Sequence, residues 1–243
     1  MNNYKIVTLN LNPRRILTFR KSFPYRALAI QGFVDFNHPD IICIQGFEDW
    51  MLPSLEFLTD AYTFYGGTNN KRHLRGDYRN CILFLKEKFI FLKGSTISLD
   101  SSSSVTFAHL ETIDTHQSLV ICNSQFKSVL PSKILSYKKS FLEFLEFFPA
   151  KTNLIIAGDH ILDQTMYQSL INNQFKTIPH SPIPKYRALI QEASKNYRPK
   201  DCIYLSHSLH LTEINPISSL YMGSFPSSTI PMGASFNIPL KTL

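Results

Sequence analysis

Asp159 closes a short apolar run, Leu154-Ile-Ile-Ala157, with Gly158 between them and His160 after it. A run of that length stopped by Gly-Asp has the form of a buried strand ending at its C-terminal mouth. A carboxylate there is costly to bury alone, so it calls for a cation, a basic side chain or backbone N–H groups as partner. The plain alternative is an Asp that forms the turn after a core strand. Basic residues supply the second chemical signal. They cluster at Arg14, Arg15, Arg20, Lys21 and Arg26, at Lys71, Arg72, Arg75 and Arg79, and at Lys185, Arg187, Lys195, Arg198 and Lys200. Tyr25, Tyr62, Phe64, Tyr65, Tyr78, Tyr186 and Tyr197 are interleaved with them. A basic groove with stacking rings holds single-stranded nucleic acid without reading its sequence, whereas isolated loop charges are merely solvated.

The whole chain sets the bounds. With 243 residues, 44% of them hydrophobic, it can bury a full core, and its net charge of +7 favours polyanionic partners, nucleic acid before an anionic membrane surface. No apolar stretch approaches the ~20 residues of a membrane span. The first residues run directly into a strand pattern without the long apolar stretch of a signal peptide. Cys43, Cys81, Cys122 and Cys202 lie in apolar strand-like runs without C-x-x-C spacing. They read as reduced core thiols of an intracellular, cytoplasmic protein.

The elements that must position these residues follow from periodicity. Strands are expected at 4–11, 41–45, 81–85, 89–99, 105–110, 118–123, 154–157 and 202–205, with short strands onward to 236. Residues 22–37 form a helix with Ala27, Leu28, Ile30, Phe33 and Val34 inward; 49–60 form a short helix with Asp49 and Ser54 as caps. A clearer amphipathic helix spans 133–148, with Ser132 as N-cap and Leu135, Phe141, Leu142 and Leu145 on its apolar face. Shorter helices are expected at 165–173 and 185–195. Strands outnumber helices and do not alternate strictly with them. That suits two packed sheets with helices outside better than a doubly wound parallel sheet.

Read in order, the strand ends resemble the endonuclease/exonuclease/phosphatase superfamily, the fold of DNase I-like nucleases. Thr8-Leu9-Asn10-Leu11 is similar to its opening T-x-N-[LIV], Pro39-Asp-Ile-Ile-Cys-Ile-Gln45 to P-D-I-[IV]-x-[LI]-Q-E, and Asn123-Ser-Gln-Phe126 to N-T-H-[LF]. Gly158-Asp-His-Ile161 stands where that family has G-D-F-N, Asp201-Cys-Ile-Tyr204 where it has D-Y-[IV]-[FL], and Ser227 to Pro231 in register with S-D-H-x-P. The resemblance covers residues 4 to 236. It implies a single domain over residues 1–243, an α/β four-layer sandwich of two mixed β-sheets face to face with helices on the outer faces.

The resemblance also implies a phosphoryl chemistry: a carboxylate-held Mg²⁺ neutralises charge building on the phosphate while a base activates water. Against that pattern Asn10, Asp159 and Asp201 are retained. The metal-binding Glu position is Gly46, the phosphate-binding His is Gln125, the Asn of G-D-x-N is Ile161, and the terminal Asp–His pair is Ser228-Thr229. Gln125 can still donate a hydrogen bond to phosphate but carries no charge, and a lost general base alone costs ~10²–10⁴ in rate. Glu48 is the candidate for metal rescue, and His160, His207 and His210 are more simply solvated or packed side chains. The expectation is a catalytically inactive protein without a cofactor, binding nucleic acid through Arg14, Arg15, Arg72, Arg75 and Arg79, or binding a protein partner. The alternatives are a Mg²⁺-dependent phosphodiesterase with a relocated metal site and a structural subunit of a larger assembly. Oligomeric state is open.

Overall fold

The computed structural model describes residues 3–11, 23–66, 79–99, 103–125, 131–149, 151–159, 175–177, 201–216 and 232–239. Along the chain run β1 (Asn3–Asn10), α1 (Phe23–Asn37), β2 (Ile41–Phe47), a 3₁₀ helix (Asp49–Leu58), β3 (Tyr62–Gly66), β4 (Arg79–Leu85), β5 (Phe89–Ser98) and β6 (Ser104–Thr112). They are followed by β7 (Ser118–Gln125), α2 (Pro131–Glu146), β8 (Leu154–Asp159), β9 (Phe175–Thr177), β10 (Asp201–Ser206), β11 (His210–Pro216) and β12 (Met232–Asn237). The strands form two six-stranded sheets, in the orders β11-β12-β1-β2-β4-β3 and β5-β6-β7-β8-β10-β9.

Each sheet has one parallel pair at its centre, β1 with β2 and β7 with β8. A parallel pair needs a crossover, and α1 and α2 supply the two crossovers. The central strands are buried on both faces, so their sequences are apolar runs and not alternations. In β1 and β2, Ile6, Ile41 and Cys43 face the opposing sheet and meet Ile121, Ile155 and Ala157, while Val7, Leu9, Ile42 and Ile44 face outward. That outer layer is closed by Phe23, Ala27, Ile30, Phe33 and Val34 of α1 and by Met51, Leu55 and Leu58 of the 3₁₀ helix. On the far side, Tyr137, Phe141 and Phe144 of α2 cover Val105, Val120, Cys122, Leu154 and Ile156. The result is the α/β four-layer sandwich of two mixed sheets.

The structure departs from the sequence reading in several details, and β3 and β9 stand where no strand was expected. Leu28 and Leu135 are exposed. On α2 the inward stripe runs through 137, 141 and 144, and at ~100° per residue position 135 falls on the opposite side. Pro131 opens α2, so Ser132 lies inside the first turn instead of capping it. Pro suits that position because its missing N–H would have no partner there anyway. The helix after β2 is 3₁₀ and contains Pro53, which cannot donate an i→i−4 bond; Asp49 is its first residue, Ser54 lies inside it, and no side-chain cap precedes it. In agreement with that reading, Cys43, Cys81 and Cys122 form no disulfide and are buried, and burial pushes the Cys43 and Cys122 thiols well up.

Asp40 of the Pro-Asp motif is structural. Its carboxylate accepts the Lys5 backbone N–H at 2.7 Å and the Lys88 ammonium at 2.6 Å, tying β1 and the β4–β5 turn to the entry of β2. Tyr4 makes a comparable long-range tie, donating its hydroxyl to Asp114 at 2.8 Å across 110 positions of sequence. Burial, with the Asp114 hydrogen bond and charge added, raises the Tyr4 phenol to about 12. A phenol raised above its unfolded value of ~10 stabilises the fold fully below that pH and loses the contribution between ~10 and ~12. The stability deficit of Tyr4→Phe against wild type should therefore stay constant up to pH ~10 and shrink from there to ~12. Urea midpoints across that range would show it, and a deficit that does not change would remove the assigned cause.

Candidate functional site

The C-terminal ends of β1, β2, β7 and β8 meet at one end of the sandwich. In one sheet Asn10 stands beside Gln45 in register; in the other Gln125 stands beside Asp159, with Asp201 of β10 opposite Asp159. Gln125 Nε2 donates to Asn10 Oδ1 at 3.5 Å, which joins the two sheets at this mouth. Both side chains are buried, and Gln125 Oε1 has no hydrogen-bond partner. Asn10, Gln45 and Gly46, Gln125, Asp159 and Asp201 thus share one end of the fold. For Asp159 and Asp201 this is a statement of register, their side chains lying outside the described set. Arg79 begins β4 opposite Phe47, on the same terms. Arg14, Arg15, Arg72, Arg75, His160, Ile161, Ser228 and Thr229 lie outside the described residues, as do the helices expected at 165–173 and 185–195.

One step below the mouth sits a polar network that the sequence reading did not assign. Gln45 Nε2 donates to Asn123 Oδ1 at 2.7 Å and to Thr8 Oγ1 at 2.9 Å. Asn123 Nδ2 donates to the backbone oxygens of Cys81 at 2.7 Å and Ile44 at 2.8 Å. Thr8, Gln45 and Asn123 are completely buried. Through Gln45 and Asn123 these neighbours of Asn10, Gly46 and Gln125 hold one sheet to the other. The signal was available: two amides and a hydroxyl inside apolar strand runs must satisfy one another.

The end of β2 is shaped by Gly46, which has a φ of 71° at a register irregularity between Ile44 and Phe47. That left-handed conformation suits glycine and penalises a side chain such as Glu by roughly 1–2 kcal/mol. Glu48 follows the turn and its Oε2 accepts the indole N–H of Trp50 at 2.6 Å. Trp50, also unassigned from sequence, is about half exposed and packs its ring edge-on against Phe23, with centroids 5.3 Å apart and planes at 80°. Behind the end of β1, Arg26 donates to the carbonyl oxygens of Leu11 at 2.6 Å and Asn10 at 3.4 Å. Burial lowers its guanidinium to about 10, so it remains a cation at neutral pH.

A divalent metal of the Mg²⁺ type takes near-octahedral oxygen coordination that includes one or two carboxylates. The described inward-facing groups of this mouth do not fit that demand. They are the neutral amides of Asn10 and Gln125, already linked to each other, and the position beside Gln45 carries no side chain. Glu48, the candidate for rescue, has its carboxylate on Trp50. Among the described residues no group of three or more His, Cys, Asp or Glu is placed to hold a metal ion. No described helix is long and apolar enough to cross a membrane.

No family model matches the sequence, and no curated protein matches it. Solved structures match the fold along nearly its full length. An endonuclease/exonuclease/phosphatase from Bacteroides vulgatus superposes with a TM-score of 0.80 at 14% identity, over 98% of this chain and 100% of that one. The human Nocturnin catalytic domain with bound sulfate gives 0.73 at 17% identity, over 98% and 94%. D. rerio TDP2 complexed with a single-strand DNA product gives 0.73 at 16% identity, over 98% and 100%. The chain has the endonuclease/exonuclease/phosphatase fold.

Proposed function

On the premise of that fold, we propose that this chain is a catalytically inactive, single-domain member of it whose mouth and basic loops bind single-stranded nucleic acid. The observation that carries the reading is the Gln125–Asn10 amide contact at 3.5 Å, set where the resemblance implies phosphate and metal ligands. A neutral amide pair can hydrogen-bond a phosphate oxygen but cannot supply the charge that phosphoryl transfer requires. The net charge of +7 supports a polyanionic partner, as does the likeness to a structure holding single-strand DNA. Asp159 and Asp201 are assigned to pairing with basic side chains at the mouth, and Arg14, Arg15, Arg72, Arg75 and Arg79 to phosphates.

The test has two arms. Mg²⁺- or Mn²⁺-dependent hydrolysis of RNA, DNA, bis-aryl phosphate and inositol phosphates is expected to stay at buffer rate. Metal-dependent turnover abolished by Asp159→Ala would overturn the inactive assignment and return the relocated-metal alternative. Oligonucleotide affinity is expected to fall linearly on a log–log plot against salt, and charge reversal at Arg72 and Arg75 to flatten the slope. Absence of binding in low salt would leave the structural-subunit alternative. Restoring Gly46→Glu, Gln125→His, Ile161→Asn and an Asp–His pair at 228–229 is expected to revive little, because Glu at φ 71° does not point where a strand residue would.

A further inference from the structure

We infer that Trp50 and Arg26 form a nucleotide subsite on the rim of this mouth, with the base stacked on the indole and the adjoining phosphate on the guanidinium. The inference rests on the nucleic-acid reading above and names the place where a base is held. Trp50 is about half exposed, yet its ring is fixed at two points. Its N–H is taken by Glu48 at 2.6 Å, and Phe23 meets it in a T-shaped contact. With the N–H satisfied, the ring has only its π-surface to offer a ligand, already oriented. That lowers the entropic cost of stacking.

Phe23 and Arg26 are three residues apart on α1, so the side chain that meets the indole and the cation are neighbours on one helix face, at roughly 5–6 Å between Cβ atoms. Arg26 is mostly buried, and its partners are the two carbonyl oxygens of Asn10 and Leu11. Among the described residues it faces no carboxylate. Residues 12–34 carry Arg14, Arg15, Arg20, Lys21 and Arg26 without a single Asp or Glu. A guanidinium has five N–H donors, so several remain for an anion. A flat ring and a cation on one rim are complementary to a nucleotide in both parts. An apolar peptide would satisfy only the ring.

Trp50 is the only tryptophan in the chain, so its emission reports this site directly. The probes are a twelve-nucleotide oligothymidylate and an abasic strand of equal length, which keeps the phosphates and lacks the bases. Oligothymidylate is expected to quench Trp50 and the abasic strand to leave it unchanged. Trp50→Ala should weaken oligothymidylate by about 5- to 150-fold, leave abasic affinity untouched and be partly rescued by Trp50→Phe. Arg26→Gln should weaken both strands and lower the salt slope by about one. Equal quenching by both strands, or oligothymidylate binding that ignores Trp50→Ala, would remove the subsite and leave the nucleic-acid reading standing. Failure of wild type to bind either strand would remove both. The quenching measurement uses the unaltered chain, so it decides the question even if a variant folds poorly.

Discussion

Gly158→Ala is expected to lower stability by more than about 4 kcal/mol, with the thermal midpoint falling by roughly 10 °C or more. Gly158 pairs with Ser124 in the parallel β7–β8 ladder and has a φ of 140°, in a region that residues with side chains avoid. A Cβ built there lies 1.8 Å from the Ser124 carbonyl oxygen and 2.9 Å from its carbon. Those are backbone atoms of a central strand, so relief requires parting the two strands that deliver Gln125 and Asp159 to the mouth. Thermal melts of the variant, or its soluble yield if it does not fold, give the readout. A loss below about 1 kcal/mol would show that β7 and β8 are not so closely apposed.

Asn123→Ala is expected to cost about 3–5 kcal/mol, while Gln125→Ala two residues further on should cost less than about 1 kcal/mol. Removing the Asn123 amide takes from the Cys81 and Ile44 carbonyl oxygens their 2.7 and 2.8 Å donor and from Gln45 its 2.7 Å acceptor, all at buried positions. Gln125 gives up one contact of 3.5 Å and a buried Oε1 that had no partner. Urea midpoints of the two variants make the comparison, with each transition's slope checked against wild type. Equal costs would mean that the mouth, and not the layer beneath it, holds the sheets together. The unequal outcome marks the mouth as a place where side chains can change without loss of the fold. The amides of Asn10 and Gln125 in the described part of its lining are consistent with that freedom.

The same division explains what could be read in advance. Period and punctuation in the chain alone determined most of the strands, the positions of α1 and α2 and two packed sheets with helices outside, though not β3 or β9. Strands buried on both faces leave apolar runs with abrupt Gly, Asp or Asn ends, and helices leave a 3.6-residue stripe. The order of motif residues also placed Asn10, Gly46, Gln125, Asp159 and Asp201 at strand termini. Their substitution pattern argued against hydrolysis before any geometry was known. Which polar residues touch was decided only by the tertiary structure. Thr8 and Gln45, 37 positions apart, meet because β1 and β2 are neighbouring strands, and Gln45 and Asn123, 78 apart, because the two sheets face each other. Nothing local records that contact. Helix faces were legible only approximately, since a stripe of apolar residues does not say which side a sheet will cover; Leu28 and Leu135 pointed out for that reason. The left-handed turn at Gly46 and the anchoring of Trp50 by Glu48 were likewise beyond the sequence. A glycine permits such a φ without requiring it, and the register shift against β4 selects it.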